Sequence, residues 1–346
     1  MSTTVNITFK PKAVVRQLLS VPNDRNQDVL IRRYGLGADP TRMTLEAIGD
    51  LYGITRERVR QIENTALAAI RKSPTYRELL PAFNELRDAM VALGGIVHER
   101  DFLNAISTDH VTQQHIHFLL VVGDLFIKHK ESDDFEHSWT VDKDLAERVH
   151  DSLQKLYASL GNDDLVEESK LIDRFLSHLR DVNAEYAREE IYRRWLNLSR
   201  RLSKNPLGEW GRSQSPNVSA RGIRDYAFLV LRKHGSPMHF REVANAIEQS
   251  FRREAHIATT HNELIKDKRF VLVGRGLYAL SEWGYSTGIV RDVIRDLLQK
   301  HGALQRDEIV ERVMRERYVK ENTVVVNLQN VRFFRKNKEG KYECVA

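Results

Sequence analysis

One cysteine, Cys344, stands in a chain of 346 residues. An internal disulfide is therefore excluded, as is any zinc site built from several thiolates, and a reducing compartment is the default expectation. No stretch approaches the ~20 consecutive apolar residues that span a bilayer. The first dozen residues hold no apolar leader core, so neither a membrane partner nor secretion is expected. Catalytic and cofactor signatures are missing as well. His110, His115 and His117 cluster without a His-Glu-x-x-His pattern or a cysteine partner. His115 and His117 are two apart, so on a helix they do not share a face. Gly274-Arg275-Gly276 lacks the Lys-Ser/Thr that follows in a phosphate-binding loop. Asp133, Asp134 and Glu136 have no paired catalytic partner, and no Asp…Glu-x-Lys nuclease pattern is evident. Trp195, Trp210 and Trp283 read as core or hinge residues. No enzyme, no metal and no cofactor is expected.

The chain has 29% charged and 41% hydrophobic residues, a balance expected of a soluble globular protein. Its net charge of +6 hides an uneven distribution. Residues 1–75 carry 12 basic and 7 acidic side chains, a net +5. Residues 76–199 carry 14 and 24, a net −10. Residues 200–285 carry 15 and 8, and residues 286–346 carry 13 and 9, so +7 and +4. Basic ends suit phosphate contact. The acidic middle opposes DNA and suits a protein partner or a spacer.

Glycines 94, 161, 235 and 302 each follow a helical pattern, at spacings of 67, 74 and 67 residues. Each is expected to end a helix in the left-handed conformation. Short extended pieces and second helices follow, at 99–106, 169–179, 241–251 and 307–317. Three of the units continue into hairpins, at 125–128 with 138–141, 270–273 with 277–280, and 333–335 with 341–345. Helix, short strand, two helices and hairpin is a winged-helix plan. The second unit lacks an evident strand pair near 207–210, where Asn205-Pro206 and Gly208 read as a connection. The expected fold class is mainly α: tandem helix-turn-helix and winged-helix domains with small β-hairpin wings. The expected division is an N-terminal arm at 1–23, a helix-turn-helix at 24–75, and a winged-helix-like module at 76–145. A degenerate module with linker at 146–215, a winged helix at 216–286 and another at 287–346 complete it.

Residues 28–72 carry the strongest motif. Thr44 is placed to cap a helix with an inner face of Leu45, Ile48 and Leu51. Gly53 permits a tight turn, and Thr55 caps a second helix that buries Val59, Ile62, Ala66 and Ile70. Arg56, Glu57, Arg60 and Gln61 then project from the opposite side. Arg and Gln at the start of a second helix are the types that read guanine and adenine edges. The run Thr55-Arg56-Glu57-Arg58-Val59-Arg60-Gln61-Ile62-Glu63, with Val29-Leu30 and Arg33-Tyr34-Gly35-Leu36 upstream, resembles region 4 of sigma-70 factors. The resemblance covers about a seventh of the chain. It implies contact with the −35 promoter element and with the flap of the RNA polymerase beta subunit, and it places Thr55, Arg56, Glu57, Arg60 and Gln61 toward DNA. Thr65, Ala68 and Ala69 stand where that family often carries Lys or Arg, which implies a weaker contact there.

A second resemblance lies at 222–285. The step Gly235-Ser236-Pro237-Met238-His239-Phe240-Arg241-Glu242-Val243, the run Asn262-Glu263-Leu264-Ile265, the stretch 269–280 and Trp283-Gly284-Tyr285 resemble a HARE-HTH domain, the winged-helix type found in the RNA polymerase delta subunit. Phe240, Val243, Ile247, Leu264, Phe270 and Leu280 read as its core. Lys266, Lys268, Arg269 and Arg275 are candidate phosphate contacts, with Arg275 between two glycines that allow close backbone approach.

Together these features point to a sequence-specific DNA-binding transcription factor. It is expected in the cytoplasm, associated with the nucleoid, and acting on double-stranded promoter DNA with bacterial RNA polymerase. No counterpart of the promoter-melting sigma regions is evident, so a primary sigma factor is a further expected partner. Two other classes fit the same modules: a polymerase-binding adaptor without base readout, and the DNA-recognition subunit of a restriction-type enzyme.

Overall fold

The computed structural model describes residues 5–179, 184–285, 290–317 and 319–345. It is mainly α-helical with short antiparallel strands. The chain divides into two units, Met1–Gly161 with Val166–Ser203, and Asn162–Leu165 with Lys204–Ala346. The domain boundary expected at 286/287 lies outside the described residues.

The first unit opens with a helix where an arm was expected. Pro11–Leu19 starts on Pro11, whose fixed φ suits a first helical turn, and buries Val14, Val15, Leu18 and Leu19. Four apolar side chains at positions 14, 15, 18 and 19 give one apolar stripe, which must find a partner. That partner is the helix His110–Val122. Helices Asp24–Tyr34, Leu45–Tyr52 and Arg56–Lys72 form the helix-turn-helix. Pro74–Glu78 and Leu80–Ala92 lead into strand Ile96–His98 and helices Glu99–Ile106 and His110–Val122. Strands Ile127–His129 and Ser138–Thr140 close a three-stranded sheet in which the last strand is central, pairing Trp139 with Val97 on one side and Lys128 on the other.

The helix-turn-helix and the winged module after it are not separate bodies. One core runs from Val14 and Leu18 through Leu30, Tyr34, Ala66 and Ile70 to Phe83, Phe102, Ile116, Leu119 and Trp139. The helix His110–Val122 is the third helix of its module, the position that reads DNA in helix-turn-helix geometry. Here it is buried along its length from Gln114 to Leu120, against Pro11–Leu19, Asp24–Tyr34 and Arg56–Lys72. It is a packing helix with no face to offer to DNA.

Helices Lys143–Ser159, Glu168–His178 and Glu189–Leu196 form the next module. Gly161 does not adopt the left-handed conformation expected of it; the preceding helix closes instead at an extended Leu160. The connection expected near 207–210 is a hairpin turn, with strands Leu202–Lys204 and Trp210–Arg212. Asn205 organises it. Its side-chain oxygen accepts from Leu207 N–H at 2.9 Å and Glu209 N–H at 3.0 Å, and Gly208 takes a positive φ of 85°. The turn chemistry was visible in the sequence, but the flanking strands are only three residues each, too short for a period of two to register.

In the second unit, helices Ile223–His234, Phe240–Phe251 and Ile257–Lys266 pack on a sheet of Met238–His239, Leu277–Leu280 and Phe270–Gly274, with Leu277–Leu280 as the central strand. Val243, Ile247, Leu264, Phe270 and Leu280 are buried in this core, and Phe240 lies half-buried against it, stacked on His261. A separate core joins Val290–His301, Arg306–Glu316 and Glu321–Leu328 to the hairpin Phe334–Lys336 and Tyr342–Cys344.

Candidate nucleic-acid interface

The helix-turn-helix is built by two threonine caps and two glycines. Thr44 Oγ1 accepts from Ala47 N–H at 3.1 Å, and Thr55 Oγ1 accepts from Arg58 N–H at 3.2 Å, so each helix starts on a satisfied donor. Gly53 ends the first helix at φ 63°, ψ 35°, a left-handed cap that turns the chain at once toward the second helix. Gly49 sets how closely the two approach. A Cβ there would lie 2.6 Å from the Ile54 carbonyl oxygen, while Gly49 C=O accepts from Ile54 N–H at 2.9 Å. The inner face of the first helix is Leu45, Ile48, Gly49 and Tyr52, not Leu51, which is 54% exposed. Position 52 continues the stripe one full turn after 48, and there the Tyr52 hydroxyl donates to Asp28. In the second helix Val59, Ile62, Ala66 and Ile70 are all buried.

Thr55, Arg56, Glu57, Arg60 and Gln61 are all exposed, at one end of that helix. They form a network. Arg60 donates twice to Glu57, Nε at 2.8 Å and Nη2 at 2.7 Å, and Gln61 donates to the same carboxylate at 3.5 Å. Arg58, which sequence reasoning passed over, is exposed and donates to Gln61 Oε1 at 3.1 Å. The hydrogen bonds from Arg60 hold the Glu57 carboxyl below the usual carboxylate range. Arg56 carries its charge outward at the helix start. The end therefore presents three guanidiniums, one amide and one carboxylate that fixes the direction of Arg60.

The other end of the helix is anchored. Glu63 is buried, accepting from the Tyr34 hydroxyl at 2.7 Å and lying 3.5 Å from Arg33 Nε. Burial, together with the Glu63 charge, drives the Tyr34 hydroxyl far above its ordinary pKa. Glu63 lies one turn beyond Val59 on the buried side; a carboxylate at core spacing was the signal that a partner exists. Arg71 donates to the carbonyls of Val121 and Val122 at 2.8 and 2.9 Å, capping the end of the His110–Val122 helix. Residues 65, 68 and 69 are exposed and uncharged.

The histidines of the acidic middle do not converge. His115 Nδ1 pairs with the Val111 carbonyl at 2.7 Å, while His117 turns to Glu99, 3.5 Å away. Among the described residues no group of three or more His, Cys, Asp or Glu is arranged to hold a metal ion.

In the second unit Lys266, Lys268 and Arg275 are exposed. Arg269 is placed differently. Its guanidinium donates to Asp225 at 2.9 Å, Asp267 at 2.6 Å and Asn217 at 2.9 Å. Asp225 in turn accepts from the N–H groups of Arg221 and Gly222, so Arg269 ties the lead-in of one helix to the first strand of the wing. Its donors are committed to the fold. Gly276 has a structural reason too: a Cβ there would meet His239 Nε2 at 2.6 Å, and Gly276 C=O accepts from Phe240 N–H. The tight wing turn is required by packing on that helix start.

Two known families match these two sites. Residues 18–72 match sigma-70, region 4. Residues 223–283 match HARE-HTH, a family described as a restriction endonuclease HTH domain. The first match starts inside the Pro11–Leu19 helix and ends with the Arg56–Lys72 helix. Among curated proteins, the RNA polymerase sigma factor RpoD of Helicobacter pylori is 44% identical over 69 residues, 20% of this chain and 10% of that protein. The RNA polymerase sigma factor SigA of Listeria monocytogenes is 41% identical over 68 residues, 20% of this chain and 18% of that protein. The chain thus spans between a tenth and a fifth of the length of these relatives. No described helix is long and apolar enough to cross a membrane.

Proposed function

We propose that this chain is a sequence-specific DNA-binding transcription factor that acts at promoters together with RNA polymerase, and that Thr55, Arg56, Glu57, Arg60 and Gln61 read the duplex. The observation that carries the proposal is the exposed end of the Arg56–Lys72 helix, with base-reading side chains gathered on it and its other end locked into a core. A rigid helix with a polar tip is what major-groove readout needs. The similarity of this segment to RNA polymerase sigma factors supports both the DNA and the polymerase partner. Lys266, Lys268 and Arg275 supply further phosphate contacts; Arg269 is left out because its donors are used within the fold. The chain is read as a non-catalytic protein of the cytoplasm, with a primary sigma factor as a further partner.

The test is genome-wide occupancy of the wild-type chain and of Arg60→Ala, paired with recovery of RNA polymerase on the tagged chain. Occupancy at promoters that Arg60→Ala abolishes, with polymerase still recovered, is the expected result. Polymerase recovery with promoter occupancy unchanged by Arg60→Ala supports the adaptor reading. One observation favours that alternative: Glu57 occupies Arg60 in the free protein, as a surface built to dock on protein would also allow.

A further inference from the structure

A cavity of about 510 Å³ lies within the first unit, between the helix-turn-helix and the winged module. Arg33, Tyr34 and Arg42 line it from one side, Glu99, His117, Lys128, His137 and Trp139 from the other, and Arg71 closes one wall. Its volume falls in the range of small-molecule sites. Nothing in the proposed DNA contact uses it.

Its charges do not balance. Arg33 leans on Glu63 at 3.5 Å, and Arg71 on Asp124 at 3.1 Å. Arg42 and Lys128 have no carboxylate within ion-pair distance among the described residues. Arg42 donates only to the neutral Gln114 side chain, and Lys128 sits over the Trp139 ring at 5.4 Å. The one carboxylate in the lining, Glu99, accepts from Trp139 Nε1 at 2.7 Å and faces both His117 and His137 at 3.5 Å. Two cations therefore face a single acidic group that already has three neighbours. His117 is 5% exposed, and its Nδ1 has no hydrogen-bond partner. An unsatisfied buried nitrogen calls for a ligand that the protein itself does not supply. Burial and mutual repulsion lower the proton affinity of both Arg42 and Lys128, the condition an incoming anion relieves.

We propose that this cavity binds a small phosphorylated metabolite, up to a nucleotide in size, with Arg42, Lys128 and His117 as its contacts. Arg42 and Lys128 neutralise phosphate oxygens, and His117 Nδ1–H supplies a directed donor. The wall made by Arg71 is the last turn of the helix whose first turn carries Arg56 and Arg60, about 22 Å away along its axis. A ligand bridging Arg42 and Lys128 fastens the loop before the helix-turn-helix to the winged module. It thereby stiffens the platform that holds the reading helix, a regulatory role that rests on the DNA-binding reading above.

Calorimetry on the full chain with ADP, inorganic pyrophosphate and adenosine tests the site without DNA. ADP or pyrophosphate is expected to bind at about 1 mM or tighter while adenosine does not, and binding is expected to shift the His117 imidazole resonances. Arg42→Gln with Lys128→Gln is expected to weaken it about tenfold or more. Lys128 is exposed, so Lys128→Gln alone keeps the fold if the pair does not, and it decides the matter. Absence of binding by either anion, or binding unchanged by Lys128→Gln, overturns the proposal. If only duplex DNA binds and Lys128→Gln weakens that complex, the cavity is a backbone phosphate contact and the metabolite site is likewise overturned. Phosphate binding with no effect on DNA affinity keeps the site and removes only its regulatory role.

Discussion

Glu57 holds Arg60 from one helical turn away, by two hydrogen bonds of 2.7 and 2.8 Å at the exposed end of the Arg56–Lys72 helix. Both side chains are more than half exposed, so water competes with the pair and the guanidinium exchanges readily onto a stronger partner. A bidentate guanine edge is such a partner. Arg60→Ala is expected to lower affinity for a selected duplex about ten- to a hundredfold and to relax preference at one base pair. Glu57→Gln frees Arg60 from its guide and is expected to raise non-specific affinity while blunting discrimination. Fluorescence anisotropy against selected and scrambled duplexes measures both. Equal affinities for all three proteins would mean that this end does not touch bases.

Gly49 is a packing requirement. A Cβ at this position lies 2.6 Å from the backbone oxygen of Ile54, and backbone does not yield as a side-chain tip does. Gly49→Ala is expected to destabilise the first unit by about 1–3 kcal/mol, although alanine favours a helix intrinsically. Urea unfolding with a fixed m-value checks it. A stabilised variant would show that the two helices can separate freely.

Arg269 serves the fold, and its removal tests stability before it tests DNA. Asp225 is 6% exposed, and Arg269 is its one ion-pair partner among the described residues. Arg269→Ala is expected to destabilise the second unit by about 3 kcal/mol. Lys266→Ala with Lys268→Ala and Arg275→Ala is expected to leave the melting temperature within about 2 °C. That triple variant should flatten the slope of log K against log salt by up to about 0.9 per lost contact. The reverse pattern, a stable Arg269→Ala and an unchanged salt slope in the triple variant, would exchange the two roles.

Acid should weaken the first unit through its histidines. Burial pushes His117 down to about 3 and His150 down to about 4, against an ordinary value near 6.5. A histidine with a lowered folded pKa binds its proton more readily in the unfolded chain. Its contribution is therefore complete above about pH 6.5 and falls away as pH drops toward 4 for His150 and 3 for His117. His150 stacks on Phe135 at 4.1 Å, and its buried Nε2 has no hydrogen-bond partner. His150→Phe keeps the stack and removes the titration. Melting temperature plotted from about pH 7 to about pH 4 should fall less steeply in that variant. Parallel curves would place the acid sensitivity in the other histidines.

Much of the helix-turn-helix was legible in the chain because its determinants are local. Thr44, Gly53 and Thr55 act on their own backbone neighbours, and Val59, Ile62, Ala66 and Ile70 repeat with the helix itself. The winged plan of 223–283 was legible for the same reason, since helix periodicity and a three-residue hairpin turn are short-range signals. What the sequence could not decide was which surfaces meet. A basic residue has the same identity whether its donors face water, as with Lys266, or two aspartates, as with Arg269. An apolar stripe at 11–19 announces a helix that needs a partner, but not that the partner is His110–Val122, about a hundred residues on. Only tertiary packing merges the helix-turn-helix with its neighbour, hides the neighbour's third helix, and brings Arg42, His117 and Lys128 around one cavity. Burial and charge balance are properties of atoms far apart in the chain, and periodicity carries no information about them.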